Sequence, residues 1–367
     1  MRVGYRPARP RGPRPRSAPP APARGGGIGA AAVARVLFVV PRFHTNLAGA
    51  VRTLLDAGHE VAVFAGGETG IEDRRGLAPR IFGPKPDRAE LRAALDAFAP
   101  EIALLRRTPG LTRAVRRGLD PRRTRTYEYA LRPADASLGR LKRLRRWLRG
   151  EPATWVTPLP GTNGVENPRA RFLPWPVDGD ASGRVPGAVP HVLCVAKIAQ
   201  PRKNHLAVID ALQATGRPFR LTLAGDTGLH ASGASRDYLA RVEARAAADP
   251  RIAVLPPQPF HEMPALYRAH DICVLAARDE PLGMAPLEAM AHGTIPLVAR
   301  DAGAARYITG GIDGVLVDAQ TPDALRAAFD GLLTATPAAR VAMARAAAAT
   351  ARARFSGAAF LEAFARL

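Results

Sequence analysis

Short β-branched apolar runs alternate with amphipathic stretches along most of this chain, with turn residues between them. ARVLFVV from Ala34 and EVAVFA from Glu60 are apolar almost without a break, the pattern of strands buried on both faces. Between them LAGAVRTLLDAGHEV reads as a helix that stops at Gly58. Further strands are predicted at Arg80–Phe82, Ile102–Leu105, Thr124–Tyr129 and Thr154–Thr157, with helices over Ala89–Phe98, Leu111–Gly118 and Ala136–Arg149. Then the pattern lapses over Pro174–Pro190 (PWPVDGDASGRVPGAVP), a Pro- and Gly-rich stretch that suits a connection between domains.

The alternation restarts at once. HVLCVA, FRLTLAG, RIAVL, DICVL, IPLV and GVLVD read as strands, and KNHLAVIDAL, DYLARVEARAA, MPALYRA, LEAMA and PDALRAAFDGLL as the helices between and after them. Strand and helix in turn, twice over in 367 residues, predict an α/β protein of two Rossmann-like domains with parallel sheets. The expected division is a basic tail over 1–33, a first domain over 34–178, a linker over 179–190, a second domain over 191–336 and alanine-rich terminal helices over 337–367. In the last segment Pro337 suits a first helical turn, and a break is expected near Phe355 and Ser356.

Composition changes this picture in three places. The first 32 residues carry seven arginines, no acid and many Pro and Gly, and lack the apolar core of a secretory signal; they read as a disordered tail. The net charge of +21 is also local at Arg113–Arg149, where thirteen basic residues face only Asp120, Glu128 and Asp135. Within that span LGRLKRLRRWLR (138–149) puts Leu138, Leu141, Leu144 and Leu148 on one helical face with Trp147 beside them, so it can lie on an anionic membrane surface or dock on the first sheet. Nucleic acid is not expected, because aromatic residues are not interleaved with the charge. Cys194 and Cys273 sit inside apolar runs and read as reduced, buried thiols, which suits the cytoplasm. No Cys or His spacing of metal-ligand type is present, so no metal is expected.

Candidate chemistry gathers in the second domain. In ARDEPLGMAPLEAMAHGTIPLVA (277–299), Glu280 and Glu288 stand eight positions apart on a predicted loop and helix between two strands. Uncapped amides at the helix start, over Gly283, Met284 and Ala285, suit a phosphate, and Gly283 allows a close backbone approach. Carboxylates would repel phosphate; Glu280 and Glu288 suit the sugar hydroxyls on either side of it. The loop KIAQPRKN (197–204) follows a strand's carboxyl end, where open parallel sheets bind ligands. Only four of the 53 basic residues are lysines, and two of them, Lys197 and Lys203, are in this loop. Lys197, Arg202 and Lys203 are candidates to stabilise charge developing on a departing diphosphate.

EPLGMAPLEAMAHGTIPLVA resembles the donor-site signature of family 4 glycosyltransferases, in which two Glu with seven residues between them, the second opening EAMA, are followed by a small residue, Gly and a strand of the PVVA type. The resemblance implies the GT-B fold, with the two parallel sheets facing across a cleft and the last helix, 357–367, crossing back to the first domain. It implies transfer of a sugar from a nucleotide-sugar donor to a glycan or lipid-linked acceptor, with retention of configuration and without a metal or other cofactor. Glu280 then orients the donor sugar, Glu288 holds the ribose, and Lys197 with Lys203 or Arg202 stabilises the leaving diphosphate. Gly225 and Asp226 match the family's Gly-Asp turn, and Pro174–Asp178 its junction phrase.

In the first domain this chain departs from the family. PRFHTN (41–46) lacks the usual Gly-Gly pair and offers His44, Thr45 and Asn46 as acceptor-side candidates, though Thr45 or Asn46 equally suits a helix cap. Where relatives carry a His, IALLRRTPG places Arg106 and Arg107, able to hold an anionic acceptor or to face solvent. Besides the enzyme, a non-catalytic paralogue binding nucleotide-sugar and a basic nucleic-acid or membrane-surface protein remain as readings.

Overall fold

The structure is a computed structural model and describes residues 33–43, 45–68, 74, 76–107, 110–131, 141, 154–161, 170–182, 187–228 and 233–367. The basic tail up to residue 32, His44 and, but for the exposed Leu141, the stretch 138–149 lie outside the described residues. Two parallel sheets carry the molecule.

In the first domain β1 (Arg35–Val40), α1 (Thr45–Asp56), β2 (Glu60–Ala65), β3 (Arg80–Ile81), α2 (Arg88–Phe98), β4 (Ile102–Arg106), α3 (Leu111–Gly118), β5 (Arg125–Tyr129), β6 (Trp155–Thr157) and β7 (Ala170–Phe172) follow in order. Seven strands line up as β3-β2-β1-β4-β5-β6-β7. β7 was not expected from sequence: Ala170–Phe172 is three residues long and pairs only with β6, too brief a run to show a period. Leu37 and Val39 pack under α2 and α3, while Val36, Phe38 and Val40 pack under α1, which is why β1 is apolar from Val36 onward.

The second domain holds β8 (His191–Val195), α4 (His205–Ala214), β9 (Arg220–Ala224), α5 (Gly233–Ala247), β10 (Ile252–Leu255), α6 (Met263–Arg268), β11 (Ile272–Leu275), α7 (Met284–Ala291), β12 (Ile295–Ala299), β13 (Val315–Val317) and α8 (Pro322–Thr334). Its sheet runs β10-β9-β8-β11-β12-β13. The expected helix from Lys203 in fact begins at His205. Asn204 sits at φ 64° and separates α4 from a 3-10 turn over Pro201–Lys203, so Lys203 belongs to a turn and not to a helix face.

α9 (Pro337–Phe355) packs on the second domain, the chain turns at Ser356, and α10 (Gly357–Phe364) lies on the first. Phe360, Phe364 and Leu367 enter the core beneath α1 and β1, and the Tyr127 hydroxyl donates to the Leu367 carbonyl. Each sheet changes strand order beside its first strand, between β1 and β4 and between β8 and β11. The loops leaving the carboxyl ends of such strands diverge there and open a crevice. Among the described residues no helix is long and apolar enough to cross a membrane.

Candidate functional site

The crevices of the two sheets meet in one cavity of about 490 Å³. From the first domain come Phe38, Val40, Arg42, Arg106, Tyr129 and Trp175; from the second, Lys197, Arg202, Glu280, Leu282, Gly283 and Met284. Residues far apart in sequence converge because they lie at or just beyond the carboxyl ends of parallel strands, where the two sheets' switch points open.

The loop between β11 and α7 is held from below. Gly303 N donates to the Glu280 carbonyl at 3.0 Å, Ala304 N to that of Leu282 at 2.6 Å, and Arg278 N to that of Arg202 at 2.8 Å, which ties the two site loops together. Gly283 turns into α7 at φ 84°, where any side chain is strained, and a Cβ there would meet Leu275 Cδ2 at 2.4 Å, so glycine is strongly favoured. It caps α7 without a side-chain hydrogen bond, so the first-turn amides lack that cap; Met284 lines the cavity, whereas Ala285 is not among its lining residues.

Glu280 is the hub of the charged groups. Its Oε2 takes Lys203 Nζ at 2.5 Å and Arg202 Nη1 at 3.2 Å. The Lys203 and Glu280 side chains are each 12% exposed, which makes theirs a part-buried ion pair, whereas Arg202 is 45% exposed. Lys197 is farther out, its Nζ 3.9 Å from Asp226 Oδ2. Gly225 sits behind it: a Cβ would lie 1.9 Å from the Ala196 carbonyl, so glycine is required there for the approach of two backbones. Thr45 and Asn46 are the first two residues of α1.

Glu288 lies apart, in a smaller neighbouring cavity of about 140 Å³ that shares Met284 with the larger one. The Tyr267 hydroxyl donates to Glu288 Oε2 at 2.5 Å, and the Tyr267 ring stacks on His292 at 5.9 Å. His292, at the end of α7, accepts from Asp180 N at 3.2 Å through Nδ1. Sequence reasoning had no means to find Tyr267, 21 positions from its partner in another helix. Burial raises the Glu288 pKa, partly offset by the Tyr267 hydrogen bond. A carboxyl raised in the fold supports stability below the ordinary carboxyl range and loses that support as pH rises through its own pKa. Glu288→Gln, which keeps an acceptor for Tyr267, is therefore expected to raise Tm at pH 7 and to leave it unchanged near pH 4; a lower Tm at pH 7 in thermal melts would contradict this.

Cys194 and Cys273 are buried free thiols, and burial pushes Cys194 up to about 12. Among the described residues no three His, Cys, Asp or Glu side chains gather as a metal-binding group.

Residues 189–335 match the family model described as glycosyl transferases group 1. D-inositol 3-phosphate glycosyltransferase of Pseudarthrobacter chlorophenolicus is 35% identical over 166 residues, 43% of this chain and 37% of that protein, so the chain matches well under half the length of this curated relative. Among solved structures, a glycosyltransferase from Rickettsia africae superposes with a TM-score of 0.70 at 15% identity, over 90% of this chain and 96% of its own. Anabaena HepE in complex with UDP and glucose gives 0.69 at 14% identity, over 91% and 98%. The chain thus has the GT-B fold, and its second domain is similar to the group 1 glycosyl transferases.

Proposed function

We propose that the protein transfers a hexose from a nucleotide-sugar donor to a glycan or lipid-linked acceptor, with retention of configuration and without a metal. The observation that supports this best is the gathering of Lys197, Arg202, Glu280 and Gly283 around one cavity between the two sheets. The donor's diphosphate would lie between the cationic loop and the uncapped start of α7. Glu280 would orient the sugar, and Glu288 would accept from the ribose hydroxyls in the adjoining cavity. In the reaction the bond from the anomeric carbon to the phosphate oxygen breaks, the acceptor oxygen bonds to that carbon on the same face, and the acceptor's proton passes to the leaving phosphate. Lys203 and Arg202 would stabilise the charge left on the diphosphate. The likeness to HepE holding UDP and glucose favours a nucleotide-sugar as the donor class.

A panel of UDP-, GDP- and ADP-sugars tests this by thermal shift. One base series is expected to raise Tm by several degrees at saturation. Glu288→Gln is expected to weaken that donor by about 2 kcal/mol, near 30-fold, by loss of charge-assisted hydrogen bonds. A flat response to the whole panel would sink the proposal. Donor binding with no hydrolysis or transfer would instead favour a binding-only paralogue.

A further inference from the structure

A second hollow, of about 580 Å³, lies on the first domain between α2 and α3, outside the cavity that joins the two sheets. Both helices cover the same face of the first sheet and run in the same direction, since each returns from the carboxyl end of one parallel strand to the start of another. Arg88 and Arg92 border the hollow from α2, Arg113 and Arg117 from α3, and Lys85 from the loop before α2. Positions four apart share one helix face and lie about 6 Å apart along its axis. The hollow is therefore a groove with two arginines on each side.

Charge is unbalanced there. The lining holds five cations and no carboxylate, and all five side chains are exposed. Among the described residues Lys85, Arg88, Arg113 and Arg117 make no ion pair; Arg92 meets Asp96 at 2.9 Å. The other acids of this region are turned elsewhere, since Asp87 caps α2 and Glu90 pairs with Arg80. Like charges gathered this closely repel one another, and an anion laid between them relieves that repulsion.

Shape narrows the choice of anion. Buried Leu91 and Leu95 and half-buried Ala114 form an apolar floor. Glycines fix the groove at both ends: a Cβ at Gly110 would run into the Pro84 carbonyl, and one at Gly118 into Leu95. Facing rows of cations close around a strand-shaped ligand, whereas a planar membrane would touch only their rims. No aromatic side chain lines the groove, so nucleobases would find nothing to stack on. One mouth lies at Pro84–Pro86 and Gly110, which follow β3 and β4 at the strand ends where the interdomain cavity also opens.

We propose that this groove binds a linear acidic glycan, with a carboxylate on successive sugars. Arg88, Arg113 and Arg117 hold the carboxylates, by the paired N–H donors that suit guanidinium to this group. Lys85 guards the mouth, and the sugar rings lie over Leu91, Leu95 and Ala114. The choice of a glycan rests on the glycosyltransferase reading: a chain whose end is in the cleft would lay its remaining length here.

Fluorescently labelled hexagalacturonate, titrated with the full chain and followed by anisotropy, tests this against labelled maltohexaose. The acidic hexamer is expected to bind tenfold tighter or more. Arg113→Gln combined with Arg117→Gln should weaken it at least tenfold. Arg236→Gln combined with Arg241→Gln, which removes the same charge from exposed positions on α5, should leave its affinity within twofold. Equal binding of the two hexamers overturns the proposal. An equal loss in both double variants does so too, because net charge alone would then explain the binding. Single-stranded DNA and vesicles of anionic phospholipid complete the comparison. If the groove variant loses as much affinity for either of these as for hexagalacturonate, the groove is not a glycan site and the proposal falls. No nucleotide is needed for these titrations, so their failure leaves the donor reading standing, and a flat donor panel leaves their result intact.

Discussion

Lys203→Ala is expected to lower turnover of the nucleotide-sugar by about 100- to 1,000-fold, the usual effect of removing one fixed charge aimed at a developing anion. Lys203 is the most buried of the loop's cations, and a charge in a shielded place acts at full strength on its neighbours. The turn at Asn204 aims it: at φ 64° this residue ends the 3-10 turn and lets Lys203 face Glu280 instead of continuing into α4. Folding should survive the change, because Arg202 still meets the Glu280 carboxylate and no buried charge is left alone. Arg202→Ala, at a more exposed position, is expected to cost far less turnover. Steady-state rates for the two variants decide between them. If Arg202→Ala abolished turnover and Lys203→Ala did not, the roles would be exchanged; if neither mattered, Lys203 would be a counter-ion for Glu280 and nothing more.

The second large effect concerns acid stability. His205 opens α4 with its side chain wholly buried and neither ring nitrogen hydrogen-bonded. Burial, with the Lys203 charge adding to it, pushes its pKa down to about 4 from 6.5. A histidine lowered in the fold takes up its proton more readily once unfolded. Its neutral form supports stability fully above pH 6.5, and that support drains away as pH falls toward 4. A displacement of this size is worth about 3 kcal/mol. His205→Leu is expected to remove this part of the acid limb and, by deleting two unmet polar atoms from the interior, to raise stability at pH 7 by about 1–3 kcal/mol. Thermal melts of both proteins from pH 4 to 8 test it: the curves should diverge as pH falls, and parallel curves would show that His205 does not titrate on unfolding. His59 and His292, also lowered by burial, shape both curves alike and leave the difference to His205.

Much of the architecture could be read directly from the residues. Strands such as RVLFVV and EVAVFA are apolar on both faces because helices cover both sides of a parallel sheet, and that demand leaves a local mark in the text. The same holds for Gly283, where a bend that favours glycine follows a strand and opens a helix. A strand's carboxyl end is also a local feature, so loops 197–204 and 277–283 could be named as ligand loops before their meeting was visible. Strand β7 escaped notice because three residues carry no period.

What the sequence by itself determined, then, is the order of strands and helices, the two-domain α/β plan and the loops that bear the charged groups, because periodicity and backbone restriction act over a few neighbouring residues. Only the tertiary structure decided that Lys203 pairs with Glu280 77 positions away, that Tyr267 meets Glu288, that Tyr129 is buried unmet beside Arg106, and that His205 has no partner. Those contacts depend on which loops the strand order brings together and on how one residue, Asn204, turns the chain. No stretch of adjacent residues encodes either.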